Sequence, residues 1–197
     1  MIKQLLLLTL LLTSGATAAA AQGPAYPYSI ALSCTPPTTG TVTGYNFYRA
    51  PYATSCGTFA KLNASPATGC SYTDTNPPQG TYCYEATSLD GTAESGPDLM
   101  PSQVQIPPPP PTNLGATLAK NANGTEDVIY TWKNPAGARD DTIYCGPTSP
   151  SAPVLKVFFP TTKVRVTSPP GTAKCAVTAT GPTGESGLSN QVQVSVP

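Results

Sequence analysis

Two stretches of this chain repeat each other, and that repeat limits what the chain can fold into. Gly80–Gly96 reads GTYCYEATSLDGTAESG and Gly171–Gly187 reads GTAKCAVTATGPTGESG. With Gly80 set on Gly171, seven of seventeen positions match, among them the opening Gly-Thr, Thr87 with Thr178, and the two Glu-Ser-Gly triplets. QVQI (Gln103 to Ile106) follows the first copy and QVQV (Gln191 to Val194) the second. A repeat of this span implies one supersecondary unit used twice.

The residues around the repeat give its type. SIALSC at Ser29–Cys34 places Ile30, Leu32 and Cys34 on one face, and DVIYTW at Asp127–Trp132 does the same with Val128, Tyr130 and Trp132. Alternation with period two is the mark of a half-buried strand. Further strands are expected over 44–49, 58–62, 71–75, 81–89 and 102–106, then over 114–118, 142–145, 154–159, 163–166, 171–180 and 190–196. The 24 Pro and 17 Gly alone would suit disorder, but the alternating runs and ten Tyr predict an all-β protein rich in turns. Helical periodicity is absent beyond the first residues.

Those first residues read as an address. Lys3 precedes an apolar run from Leu5 to Leu12, and small residues from Gly15 to Ala21 offer Ala-x-Ala cleavage sites. Residues 1–21 are therefore expected to be a signal peptide outside the fold, cut after Ala20 or Ala21. With no second long apolar segment, the mature chain is expected to be soluble, without stable membrane insertion, and secreted: extracellular or periplasmic.

Composition excludes several chemistries. Without Lys3 the chain holds nine basic and ten acidic residues, a net of −1, which is no footprint for nucleic acid. There is no His, which removes the commonest general base and the usual triads, and no nucleotide or phosphate fingerprint. The carboxylate pairs Glu126-Asp127 and Asp140-Asp141 read as solvated turn charges. No enzyme activity, cofactor or metal is expected. Six Cys in an exported chain point to disulfides.

GYNFYR, the SYTDT-turn-GTYCYEATSLD run, the ESGP loop and the closing QVQIP resemble a bacterial fibronectin type III domain. The second half resembles a more diverged copy. The resemblance implies two tandem immunoglobulin-like β-sandwiches, each with sheets A-B-E and C′-C-F-G: residues 22–106 and 112–197, joined by a polyproline linker at 107–111. Five prolines would form a stiff spacer of about 15 Å at roughly 3.1 Å per residue. The family's core Trp on strand B matches Trp132, where the first copy has Cys34. Its strand-F Tyr matches Tyr82, where the second has Ala173.

On those strand assignments, parity pairs Cys34 with Cys70, Cys56 with Cys83, and Cys145 with Cys175; the alternative for Cys34 is a buried free thiol. Two surfaces are candidates for binding. One is the outer face and loops of the first domain, with Tyr45, Tyr48 and Tyr52. The other is Val154–Phe159, including Val157 and Phe159, as an edge strand open to another chain. The function these suggest is a non-catalytic adhesion module recognising a protein or carbohydrate outside the cell. The alternative is a structural spacer or self-associating subunit that uses edge-strand pairing.

Overall fold

The computed structural model describes residues 9–11, 26–100 and 102–197. They divide into two compact units, residues 27–106 with 9–11, and residues 107–197. All regular elements among them are strands. The first unit carries β1 (Thr9–Leu11), β2 (Ser29–Ser33), β3 (Gly44–Pro51), β4 (Ala60–Lys61), β5 (Ser71–Thr75), β6 (Gly80–Asp90), β7 (Ala93–Glu94), β8 (Asp98–Leu99) and β9 (Val104–Ile106). One sheet runs β1-β2-β5; the other runs β4-β3-β6-β7, with β8 and β9 also paired to β6.

The second unit carries β10 (Thr112–Lys120), β11 (Glu126–Lys133), β12 (Asp140–Gly146), β13 (Ala152–Phe158), β14 (Lys163–Thr167), β15 (Gly171–Gly181), β16 (Gly184–Glu185) and β17 (Val192–Val196). Its sheets are β10-β11-β14 and β13-β12-β15-β16, with β17 on β15. The resemblance implies a three-strand and a four-strand layer in each unit; the smaller sheets have three strands, and the larger ones have six in the first unit and five in the second.

Alternation decides which residues fill each core. In the first unit Ile30 and Leu32 of β2 meet Phe47 of β3 and Tyr84 and Ala86 of β6. In the second, Val128, Tyr130 and Trp132 of β11 meet Ile143 of β12 and Cys175 and Val177 of β15. Phe47 and Ile143 are fully enclosed, and burying such a side chain contributes about 1.5–3 kcal/mol.

The same register position joins the sheets in both units, by different chemistry. Arg49 of β3 lies opposite Tyr84 of β6. Both reach Asp74 Oδ2 on β5 of the other sheet, Arg49 Nη1 at 2.8 Å and Tyr84 Oη at 2.8 Å. In the second unit the opposed residues are Cys145 and Cys175, joined as a disulfide with Cα atoms 4.2 Å apart. Here Tyr130 of the facing sheet brings its hydroxyl to 3.2 Å from Cys175 Sγ. Buried Asp74 is replaced by Val166, which pairs with Val128 as Asp74 pairs with Ile30. A charge that would be costly alone is held by two donors in one unit and removed in the other.

The other disulfides are Cys34–Cys70 and Cys56–Cys83, with Cα separations of 5.2 and 5.8 Å. The first ties the end of β2 to the start of β5, and the second ties the loop after β3 to buried Cys83 of β6. In domains of this size each such bridge is worth roughly 2–4 kcal/mol.

One expectation changes. Residues 1–21 are expected to lie outside the fold; most fall outside the described residues, but Thr9–Leu11 pair antiparallel with Ala31–Ser33 of β2. The reason is the open flank of β2, whose backbone groups need partners that any strand-compatible segment can supply. The proline run is itself packed. Pro107, Pro108 and Pro111 are buried and Pro109 and Pro110 half-buried, and Pro107 packs within 3.9 Å of where a Cβ on Gly184 would lie. Proline has no N–H to leave unpaired, so its ring buries at little cost.

Removing the buried acceptor tests the first unit's link. Asp74→Ala should cost roughly 2–4 kcal/mol, because Arg49 and Tyr84 lose their shared partner. Asp74→Asn, which keeps an acceptor for Tyr84, should cost less. Urea unfolding midpoints of the two variants check the order.

Candidate functional site

The repeated Glu-Ser-Gly triplets build one device twice, on the outer face of each larger sheet. Glu94 Oε1 accepts from Tyr48 Oη at 2.6 Å and Asn46 Nδ2 at 2.9 Å, and also from the Thr87 hydroxyl. Glu185 Oε1 accepts from Tyr144 Oη at 2.9 Å and from Thr178. The next residue pins the hairpin: Ser95 Oγ accepts from Ser88 N–H at 3.0 Å, and Ser186 Oγ from Ala179 N–H at 2.9 Å. Three donors, Thr87 first, hold the Glu94 carboxyl below the usual carboxylate range. Burial, with the bond and charge of Glu185, pushes the Tyr144 phenol up to about 12. The matched Thr and Glu of the repeat are thus a staple across each sheet.

This places the candidate tyrosines differently from the expected binding face. Tyr45 is a correction: it is 4% exposed and lies in the core, because on β3 it shares parity with Phe47. Tyr48 faces outward but is half-buried and committed to Glu94. Tyr52 follows β3, half-buried, and bridges Cys56. The three do not form one exposed aromatic patch.

At the edges the units part company. Expected over 58–62, the strand beside β3 is only β4, Ala60–Lys61. The reason is Asn63, whose buried side chain takes the place of a strand: Oδ1 accepts from Phe47 N–H at 2.8 Å and Nδ2 donates to Tyr45 O at 2.9 Å. In the second unit β13 runs seven residues along β12 and ends its sheet. Val157 is a correction here, since it faces inward and is 9% exposed. The exposed apolar residues are Val154 at 46%, Phe158 at 71% and Phe159 at 56%. Sequence reasoning found this strand but chose the wrong parity, because its residues are apolar on both faces and the flanking loops gave no phase.

No family model and no curated protein sequence matches the chain. Among solved structures it is similar to a segment of two fibronectin type III domains from chicken tenascin, at 11% identity and a TM-score of 0.52, covering 95% of this chain and 97% of that one. It is also similar to the FN1–FN3 domains of chicken CNTN1, at 13% identity and a TM-score of 0.41, covering 85% of this chain and 60% of that one. The fold is that of fibronectin type III domains.

Within the first fibronectin type III domain, Tyr82 is held through its ring. Arg49 lies over it with Cζ 4.9 Å from the centroid, and a Cβ on Gly80 would come 3.1 Å from Tyr82 Oη. Gly80 also has φ +155°, a conformation that residues with a side chain rarely adopt, which suits glycine there. A shallow trough of about 490 Å³ lies over β2 and β5, lined by Ala31, Leu32, Ser33, Ser71, Tyr72 and Thr73. It holds no charged group.

In the second fibronectin type III domain the carboxylate pairs are not the solvated turn charges they were expected to be. Asp127 is buried and bound by Arg165 and Thr167. Asp140 pairs with Lys156 at 3.1 Å. Asp141 is fully enclosed and accepts from Trp132 Nε1 at 3.1 Å through Oδ2, while Oδ1 has no hydrogen-bond partner among the described residues.

Burial raises the Asp141 carboxyl from 3.8 to about 6. The folded state therefore holds this proton more tightly than the unfolded one. The contribution to stability is fully present below pH 3.8 and is lost as pH rises through about 6. Asp141→Asn keeps the acceptor for Trp132 and removes the charge. It should raise Tm above pH 6 and leave it nearly unchanged near pH 4, as read by calorimetry across that range.

Proposed function

We propose that this chain is an exported, non-catalytic binding module that contacts protein through the β13 edge of its second domain. The observation that carries this reading is the open edge itself. Val154 and Phe158 are exposed on β13, with Phe159 exposed just after it, and among the described residues this strand has only one neighbour in its sheet. Exposed apolar side chains beside unpaired backbone suit strand addition by a protein partner better than stacking on a sugar. Of the tyrosines that would have favoured a carbohydrate, Tyr45 is buried, Tyr48 is bound to Glu94 and Tyr52 is half-buried beside Cys56.

Export is supported by the leader-like residues 1–21 and by three disulfides, which persist in oxidising compartments. No helix among the described residues is long and apolar enough to cross a membrane. A non-catalytic role follows from where the titratable groups are spent: Asp74, Glu94, Asp127 and Glu185 each hold strands together.

The reading predicts that binding to the surface of producing cells, followed by flow cytometry of the labelled protein, falls at least tenfold in Phe158→Lys. It predicts that Tyr48→Phe binds normally. The opposite order would return the site to the first domain's outer face, and turnover of a glycan or peptide would overturn the non-catalytic assignment.

A further inference from the structure

The first domain reaches its full small sheet only by using residues of the leader. In the second domain the strand beside β11 is β10, nine residues from the domain's own chain, registered with β11 from Thr112 to Lys120. In the first, the strand beside β2 is Thr9–Leu11. Cleavage after Ala21 removes it. Six residues, Gln-Gly-Pro-Ala-Tyr-Pro, then precede Tyr28, which is already in line with the sheet, accepting at its carbonyl from Asn76 N–H at 2.7 Å. Six residues must both turn and run back beside Ser29–Ser33. Two of them are proline, which cannot donate to a ladder, and one is glycine. They are a poor replacement.

We propose that leader removal opens the flank of β2 and that β13 of a second copy fills it, joining mature chains head to tail. This rests on the export reading above. The backbone supports it on both sides. Cys34 N–H and Tyr28 C=O are bonded toward β5, so by alternation Ser29, Ala31 and Ser33 present their N–H and C=O groups to the opposite flank. On β13, Phe159 N–H donates to Arg139 O toward β12, so Lys156 and Phe158 turn theirs to the open edge.

Side chains and charge fit as well. Ala31, Ser33, Ser71 and Thr73 line the trough over β2 and β5, so the acceptor's outer surface is small-sided where the donor carries Val154 and Phe158. Residues 22–106 hold two basic residues against five acidic, a net of −3, and residues 112–197 hold seven against five, a net of +2. Opposite charge favours first-domain to second-domain contact over contact between like domains. A donor and acceptor on different patches make a heterologous contact, which propagates unless the rotation closes. The matching edge of the first domain cannot serve as donor, because Asn63 already occupies the backbone of β3.

The test uses exported protein whose N-terminus is established by mass spectrometry, followed by sedimentation velocity over a concentration series at low and high salt. Wild type should form species that grow with concentration and weaken at high salt. Ala31→Pro removes the N–H that β2 would donate to the incoming strand without taking one from β5, and Phe158→Lys spoils β13 at an exposed position. Each variant alone should be monomeric, and an equal mixture should give dimers and nothing larger. Dimers in the mixture also show that both variants are folded. A monomer of the mature mass at every concentration overturns the proposal, as does a mixture that stays monomeric. Growth by the Ala31→Pro chain alone would mean that β13 pairs with itself, and overturns it too. A mass that still includes residues 1–21 overturns the export reading and the proposal together.

Discussion

Each sandwich depends on one cross-strand position where its two sheets are tied. Opposed residues on neighbouring strands come close enough that a side chain there acts on both strands and on the layer beneath. In the first domain Arg49 and Tyr84 converge on Asp74, a carboxylate 6% exposed. In the second, Cys145 and Cys175 are joined covalently within the larger sheet, and the Tyr130 hydroxyl reaches their sulfurs from the other sheet. The ion pair depends on every member being present, whereas the disulfide depends on the compartment's redox state. One fold thus tolerates two solutions at the same register, which explains why the repeat is legible in the hairpin and faint in the core.

Much of the architecture could be read from period-two patterning and the repeat. The Cys pairs followed once strand parity was assigned. What could not be read were choices that local pattern does not encode. Tyr45 and Tyr48 look alike in sequence, and only the phase set by Phe47 puts one in the core and the other on the surface. Val154–Phe159 is apolar at both parities, so its inward residue was ambiguous until β12 supplied a partner. Asp127 and Asp141 looked like turn charges because nothing nearby in sequence announces Arg165 or Trp132 as partners. Asn63 gave no signal, since a side chain that stands in for a strand resembles any loop asparagine.

Function in such a molecule is located by elimination and by edges. Glu94 with Tyr48 and Glu185 with Tyr144 are consumed as staples that hold hairpins on the outer faces. What remains unspent is backbone. Beside β3 it is covered by Asn63; along β13 it is bordered by exposed Phe158; beside β2 it is paired with Thr9–Leu11, which the proposed export would remove. Proteins guard sheet edges because uncovered ones recruit strands. On the proposed export, a chain that leaves one edge open and uncovers another has the parts for assembly.

Hydrogen exchange at individual amides of β2 in the mature protein tests this most directly. Ala31 N–H faces the flank that the leader covers, and Leu32 N–H faces β5. Ala31 should exchange fast in dilute protein and slowly in concentrated protein, while Leu32 stays protected in both. Equal protection of Ala31 at every concentration, or none at any, would contradict an edge filled by a second chain.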